Sequence, residues 1–253
     1  MNDRQRPDLH WSARTDRRRI GADGGLRHVL VDVEASRRER DDDLAERAPL
    51  NLGLVIDVSG SMMGDPLDAA IRAASGVVEL LTARDRLTVV SFADRAHVHC
   101  DRLRCDDAGR ARAIGKIRRL EVRGCTNLSG GWLTGCERVA EGQERKPGVQ
   151  SRVILLSDGM ANRGICDPRE LGHHAAELRR RGLQTSCVGI GDDYSPTQLQ
   201  AIAEHGGGRL HDAPLGEDIV SVLLGELGEI FATAADDVQL EVVAPRGVEL
   251  TVL

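Results

Sequence analysis

Two uninterrupted apolar runs, Leu52-Gly53-Leu54-Val55-Ile56 and Val153-Ile154-Leu155-Leu156, narrow what this chain can fold into more than any other feature. Each has the length of a strand, and neither alternates with polar residues, so both faces of each must be covered. Each run also ends abruptly, at Asp57 in one case and at Ser157-Asp158 in the other. Around them lie segments with helical spacing. Residues 65–81 set Leu67, Ala70, Ile71, Ala74, Val77, Val78 and Leu81 on one face, with Pro66 suited to a first turn. Helices are likewise expected over 106–120, 127–144, 168–181, 196–205 and 218–234, and strands over 86–92, 96–103, 184–190 and 209–211. Strands alternating with helices at this pitch predict an α/β fold, an open and mostly parallel sheet with helices on both faces.

The main domain is expected over residues 49–235. Before it, residues 1–25 read as a flexible arm, with Arg17-Arg18-Arg19, three glycines and little to pack. Residues 26–48 hold one alternating strand, 28–34, and a charge run whose Asp41-Asp42-Asp43 triplet reads as solvated linker rather than metal site. Residues 236–253 alternate over 238–242 and 248–252 around Pro245-Arg246-Gly247, a hairpin pattern. These strands are expected to join the early one in a small antiparallel β layer drawn from the two termini.

Composition removes several functions. The formal charge of -6, with both signs mixed, and an aromatic content of 2% leave neither a basic stripe nor stacking platforms for nucleic acid. No apolar run reaches the length of a membrane span, and the polar, Arg-rich start carries no secretory signal as the sequence stands. Six scattered cysteines without a C-x-x-C pair predict reduced thiols and a cytoplasmic setting. His97, His99, Cys100 and Cys105 lack zinc spacing, because strict alternation sends the two histidines to one face of a strand and Cys100 to the other. His173-His174 reads as helix surface. Gly206-Gly207-Gly208 follows a helix rather than opening one, which makes it a stop and not a phosphate loop.

The chemistry lies at the strand ends. Asp57-Val58-Ser59-Gly60-Ser61 crowds one carboxylate and two hydroxyls onto a tight loop, and such hard oxygen donors suit a hard divalent cation, Mg2+ above all. In an open parallel sheet, ligands bind outside the carboxyl ends of the strands. Asp57 and Asp158 both project at that rim, and Thr126 lies on a glycine-bearing loop just before a helix at the same rim. Three loops remote in sequence thus bring two carboxylates and three hydroxyls together.

Asp57-x-Ser59-x-Ser61, Thr126 and Asp158-Gly159 resemble the metal-ion-dependent adhesion site of the von Willebrand factor type A family, whose fold is Rossmann-like. The words Ser61-Met62, Thr126-Asn127-Leu128-Ser129-Gly130-Gly131 and Asp158-Gly159-Met160-Ala161-Asn162 resemble its bacterial branch. The resemblance covers residues 51–235. It implies that Ser59 and Ser61 bind the metal directly, Thr126 directly or through water, and Asp57 and Asp158 mainly through water. The expected ion is Mg2+, with Mn2+ or Ca2+ as alternatives. A protein partner, with an AAA-type ATPase system as one candidate, would supply an acidic side chain that completes the coordination. Met62, Met63 and Met160 flank the loops, where they could line an adaptable rim or simply fill core. Cys125 stands where a small hydroxyl residue is expected.

No nucleophile motif such as G-x-S-x-G occurs, so an interaction module rather than an enzyme is expected. The competing readings are a phosphoryl-transfer or hydrolase domain using Asp57, and a degenerate domain without metal. Folds of the first kind use a lysine at a later strand end, whereas the only lysines are Lys116 and Lys146.

Overall fold

In the computed structural model, the described residues are 9–16, 25–35, 47–141, 148–158, 161–191, 194–213, 218–232, 240–244, 247–249 and 251. The chain divides into two compact units, Asp43–Phe231 and a smaller one made of Met1–Asp42 with Ala232–Leu253.

The larger unit is built on a six-stranded sheet. Its strands are β3 (Leu50–Asp57), β4 (Arg86–Phe92), β5 (Ala96–Arg104), β6 (Gln150–Ser157), β7 (Leu183–Ile190) and β8 (Gly207–Ala213), arranged in the order β5-β4-β3-β6-β7-β8. All neighbours are parallel except β4 and β5, which form an antiparallel hairpin at one edge. The chain leaves β3 toward β4 and β5, then returns to β6 on the other side of β3. That reversal opens a crevice at the carboxyl ends of β3 and β6, where such sheets bind ligands.

The apolar runs behave as their composition requires. Along β3, Leu52, Leu54 and Ile56 enter one core cluster while Val55 enters the other, and along β6 Ile154 and Leu156 oppose Val153 and Leu155. The first cluster is covered by α1 (Asp65–Leu80), α2 (Asp107–Ile117) and α6 (Asp218–Ala232). The second is covered by α3 (Leu128–Glu141), α4 (Pro168–Arg180) and α5 (Pro196–His205). Fully buried Trp132 on α3 donates its indole N–H to Thr185 Oγ1 at 3.2 Å, which satisfies the one polar group the ring brings inside.

Local chemistry sets the helix starts. Asp106 caps α2 by accepting from Gly109 N at 2.8 Å, and Asp167 caps α4 by accepting from Arg169 N at 2.7 Å. At α3 the cap is Asn127, whose Oδ1 accepts from Gly130 N at 3.0 Å. Gly131 and Gly135 then let α3 lie against the sheet, since a Cβ at either would collide with Phe92 or Val55.

Two readings change here. The stretch expected to be a flexible arm contains β1 (Leu9–Thr15), which pairs antiparallel with β2 (Val29–Ala35) through Trp11↔Val33 and Ala13↔Val31. Leu9, Trp11, Ala13 and Thr15 alternate with His10, Ser12 and Arg14, a strand pattern that the nearby arginines and glycines mask. Among the described residues the small antiparallel layer has two strands, both from the N-terminal side. Among the described residues of 240–249 and at 251 there is no strand, and the remaining positions of the expected hairpin lie outside the described residues.

Candidate metal centre

Three loops are stitched into one rim by backbone hydrogen bonds. Val58 N donates to Phe92 O at 2.8 Å, Arg123 N to Val58 O at 2.6 Å, and Gly60 N to Gly124 O at 3.1 Å. The loop after β6 closes from the other side, where Asn162 N and Arg163 N both donate to Thr126 O, at 3.2 and 3.3 Å. Asn162 also accepts through Oδ1 from Thr126 N at 3.2 Å, so Thr126 is held at both its amide and its carbonyl. Gly124 has φ +33° and sits under the Asp94 carboxylate, which pairs with Arg163 at 3.3 Å across the rim.

Within this frame Asp57, Ser59, Ser61 and Asp158 are joined by hydrogen bonds, while Thr126 is set on the adjoining loop by its backbone contacts. Ser59 Oγ and Ser61 Oγ lie 3.2 Å apart, and Ser61 Oγ donates to Asp158 Oδ1 at 2.8 Å. Asp57, Ser59, Thr126 and Asp158 are buried, whereas Ser61 is exposed and forms the open side of the cluster. Asp57 accepts from Ser59 N at 2.8 Å and from Ser157 Oγ at 2.6 Å. Burial pushes its carboxyl above the usual range, against the opposing pull of the Ser157 and Ser59 hydrogen bonds.

The donor set suits a hard cation. Two hydroxyl oxygens 3.2 Å apart approximate an edge of a Mg2+ octahedron, which is about 3.0 Å for ligands at about 2.1 Å. Asp57 is fully buried and takes only neutral donors among the described residues. An interior carboxylate in that state is costly unless positive charge stands near it. Among the described residues no three His, Cys, Asp or Glu side chains group as a metal site. The cluster at the rim has another composition, carboxylates with hydroxyls.

Ser157 and Asn162 were not picked out as contributors by motif spacing. Ser157 lies one register step beyond the Ile56↔Leu156 pair, directly across from Asp57, and that neighbourhood is its only sequence signal. Of the methionines, Met62 is fully buried core and Met63 is 72% exposed at the rim, while Gly159 and Met160 lie outside the described residues. Cys125 is exposed beside buried Thr126. The strand near His97 also departs from strict alternation. Val90 pairs with Val98 and Val89 with Cys100, so His99 is the extra residue of a bulge, and its Nε2 meets Ser91 Oγ at 2.7 Å.

The family model that matches is the von Willebrand factor type A domain, over residues 51–220. The chain is 34% identical over 192 residues to the uncharacterized protein sll0103 of Synechocystis sp., covering 75% of this chain and 43% of that one. It is 26% identical over 216 residues to Escherichia coli YfbK, covering 85% and 36% respectively. With human inter-alpha-trypsin inhibitor heavy chain H4 it shares 28% over 173 residues, 65% of this chain and 18% of the human one. The chain thus spans less than half the length of these relatives.

Among solved structures, a von Willebrand factor type A protein from Catenulispora acidiphila superposes with TM-score 0.68 at 24% identity, covering 92% of this chain and 51% of that one. Proximal thread matrix protein 1 of the mussel byssus, solved with a zinc-occupied metal-ion-dependent adhesion site, gives TM-score 0.57 at 22% identity, covering 73% and 46%. At such identities the likeness is one of fold. Domains of this kind generally serve as metal-dependent protein-interaction modules. With a family model matching over half of its residues and a relative 34% identical across 75% of its length, the chain belongs to the von Willebrand factor type A domain family.

Proposed function

We propose that the rim holds a divalent cation, Mg2+ in the first instance, and that a carboxylate from a protein partner completes its coordination. Ser59, Ser61 and Thr126 would offer hydroxyl oxygens. Asp57 and Asp158 would act mainly through water, leaving the ion enough positive charge to attract one more anion. The observation that carries this reading is Ser61 Oγ, set between Ser59 Oγ at 3.2 Å and Asp158 Oδ1 at 2.8 Å on the exposed side of an otherwise buried cluster. The metal is an anchor in this proposal, and the domain binds rather than turns over substrate. Lys116 sits on α2 rather than at a strand end, which disfavours the phosphoryl-transfer alternative. None of the relatives named above is described as part of an ATPase, so the partner is defined here by its acidic chemistry alone. All six cysteines are free, which supports a reducing, cytosolic setting.

Capture of partner proteins from native lysate, with Mg2+ or with chelator, tests the reading. Thr126→Ala and Asp57→Ala are expected to abolish metal-dependent capture while unfolding remains cooperative. Equal capture in Mg2+ and in chelator would overturn it.

A further inference from the structure

The charge of this chain is unevenly placed, and the uneven region adjoins the candidate metal centre. Between Arg95 and Arg123 there are nine lysines and arginines against four acidic residues, in a chain whose overall formal charge is -6. Local pairing widens the imbalance. Arg102 pairs with Asp101, Arg104 with Asp106 and Arg110 with Asp107. Those pairs account for three of the four acids and leave Glu121. Among the described residues, Arg112, Lys116, Arg118, Arg119 and Arg123 form no ion pair, and all five are exposed.

These cations gather on the edge of the sheet that faces α2. Arg112 and Lys116 stand one turn apart on α2, and Lys116 Nζ donates to the His99 carbonyl of β5. His97 lies at the start of β5, paired with Ser91 one step from the carboxyl end of β4. Arg123 is fixed beside the site because its backbone N–H donates to Val58 O, one residue past Asp57. Consistent with this crowding, the His99 imidazole is held below its ordinary value first by burial, then by the charges of His97, Lys116 and Arg123. Free cations brought together against the net sign of the molecule cost self-repulsion, and a negatively charged ligand relieves it.

We infer that the surface formed by Arg112, Lys116, Arg123 and His97 docks an acidic segment of the partner protein, alongside the carboxylate that reaches the metal. This rests on the function proposed above and adds the partner's character: several acidic side chains, one for the ion and others for this edge. A segment of that kind would be steered to the rim by long-range attraction and then anchored at the metal, so its binding falls as salt rises.

The test measures fluorescence anisotropy of a labelled peptide of alternating Glu and Ser against the intact chain in Mg2+. Arg112→Glu with Lys116→Glu is expected to weaken binding by about tenfold or more at low salt, with the difference shrinking toward about 0.5 M salt. The neutral pair Arg112→Gln with Lys116→Gln should fall between the two. Calorimetric titration with Mg2+ should give the wild-type result for both variants, because neither residue belongs to the metal cluster. Loss of peptide binding in the reversed variant together with persistence in chelator supports the basic edge and defeats the metal reading. Loss in chelator with no change in the reversed variant does the opposite. Failure of the peptide to bind the wild-type chain, or equally tight binding of an oligothymidylate, overturns the inference that an acidic protein segment is the occupant.

Discussion

Ser61 Oγ donates to Asp158 Oδ1 at 2.8 Å across 97 positions of sequence, and it does so on the one exposed side of the cluster. A hydroxyl placed there does little for packing. Ser61→Ala is therefore expected to cost about 1.5 kcal/mol of stability, the low end of the range for a hydrogen bond to a charged group, because Ser61 is exposed. If the proposed role is right, the same change removes the heat of Mg2+ and Mn2+ binding. Calorimetric titration beside thermal unfolding separates the two effects, and an unchanged metal isotherm would count against Ser61 as a ligand.

The helix that carries Trp132 makes a sharper packing prediction. Alanine is favoured over glycine inside a helix by about 1 kcal/mol, so Gly→Ala should stabilise wherever space allows. Gly115 on α2 has open space around its missing Cβ, and Gly115→Ala is expected to gain about 0.5–1 kcal/mol. A Cβ on Gly131 would meet the Phe92 ring, and overpacking of that kind costs about 1–3 kcal/mol. Gly131→Ala should therefore destabilise despite better propensity. Urea unfolding of the two variants side by side gives opposite signs if α3 lies as close to β4 as described here.

Much of this architecture was legible because apolar residues in β3 and β6 have no polar alternation to confuse them. Only a strand covered on both faces tolerates Leu52 through Ile56 without a break. The rim loops were legible for a related reason, since Asp57 and Asp158 are the first carboxylates after such strands. What escaped notice acts through a neighbour. Ser157 matters through Asp57 and Asn162 through the backbone of Thr126, and neither contact has a spacing rule in sequence. The bulge at His99 escaped because alternation assumes an unbroken ladder. Strand β1 is masked by the Arg17-Arg18-Arg19 run and the glycines that follow its short alternation.

The cysteines differ enough in environment to be told apart by reaction. Cys125 is exposed and Cys166 half-buried, whereas burial pushes the Cys105 thiol up to about 12 and raises those of Cys136 and Cys187 further. Thiolate is the reactive form, so alkylation of the native protein should mark Cys125 and Cys166 first. Mass mapping of an iodoacetamide time course checks this. Early labelling of Cys136 or Cys187 would mean that the second core cluster opens far more readily than its packing implies.

Asp85 supplies the clearest pH dependence. Its carboxylate is fully buried and accepts from Arg47 Nη1 at 2.8 Å, Leu50 N at 2.9 Å, Thr82 N at 2.7 Å and Thr82 Oγ1 at 3.0 Å. The Arg47 guanidinium in turn lies 3.8 Å over the Phe231 ring, so the pair ties the start of β3 to the end of α6. Burial alone would raise the Asp85 carboxyl, but the Arg47, Thr82 and Leu50 hydrogen bonds outweigh it and hold the group below its ordinary value. A carboxylate lowered on folding contributes stability that is present above the unfolded value, about 3.9, and is lost as pH falls through the folded value. Asp85→Asn is expected to cost about 3–5 kcal/mol at neutral pH by leaving Arg47 buried without its counter-charge. Below about pH 4 the wild type should lose the same interaction, and the difference between the two proteins should narrow. Urea midpoints measured across that range decide the matter, and a gap as wide in acid as at neutral pH would show that Asp85 is not the titrating group.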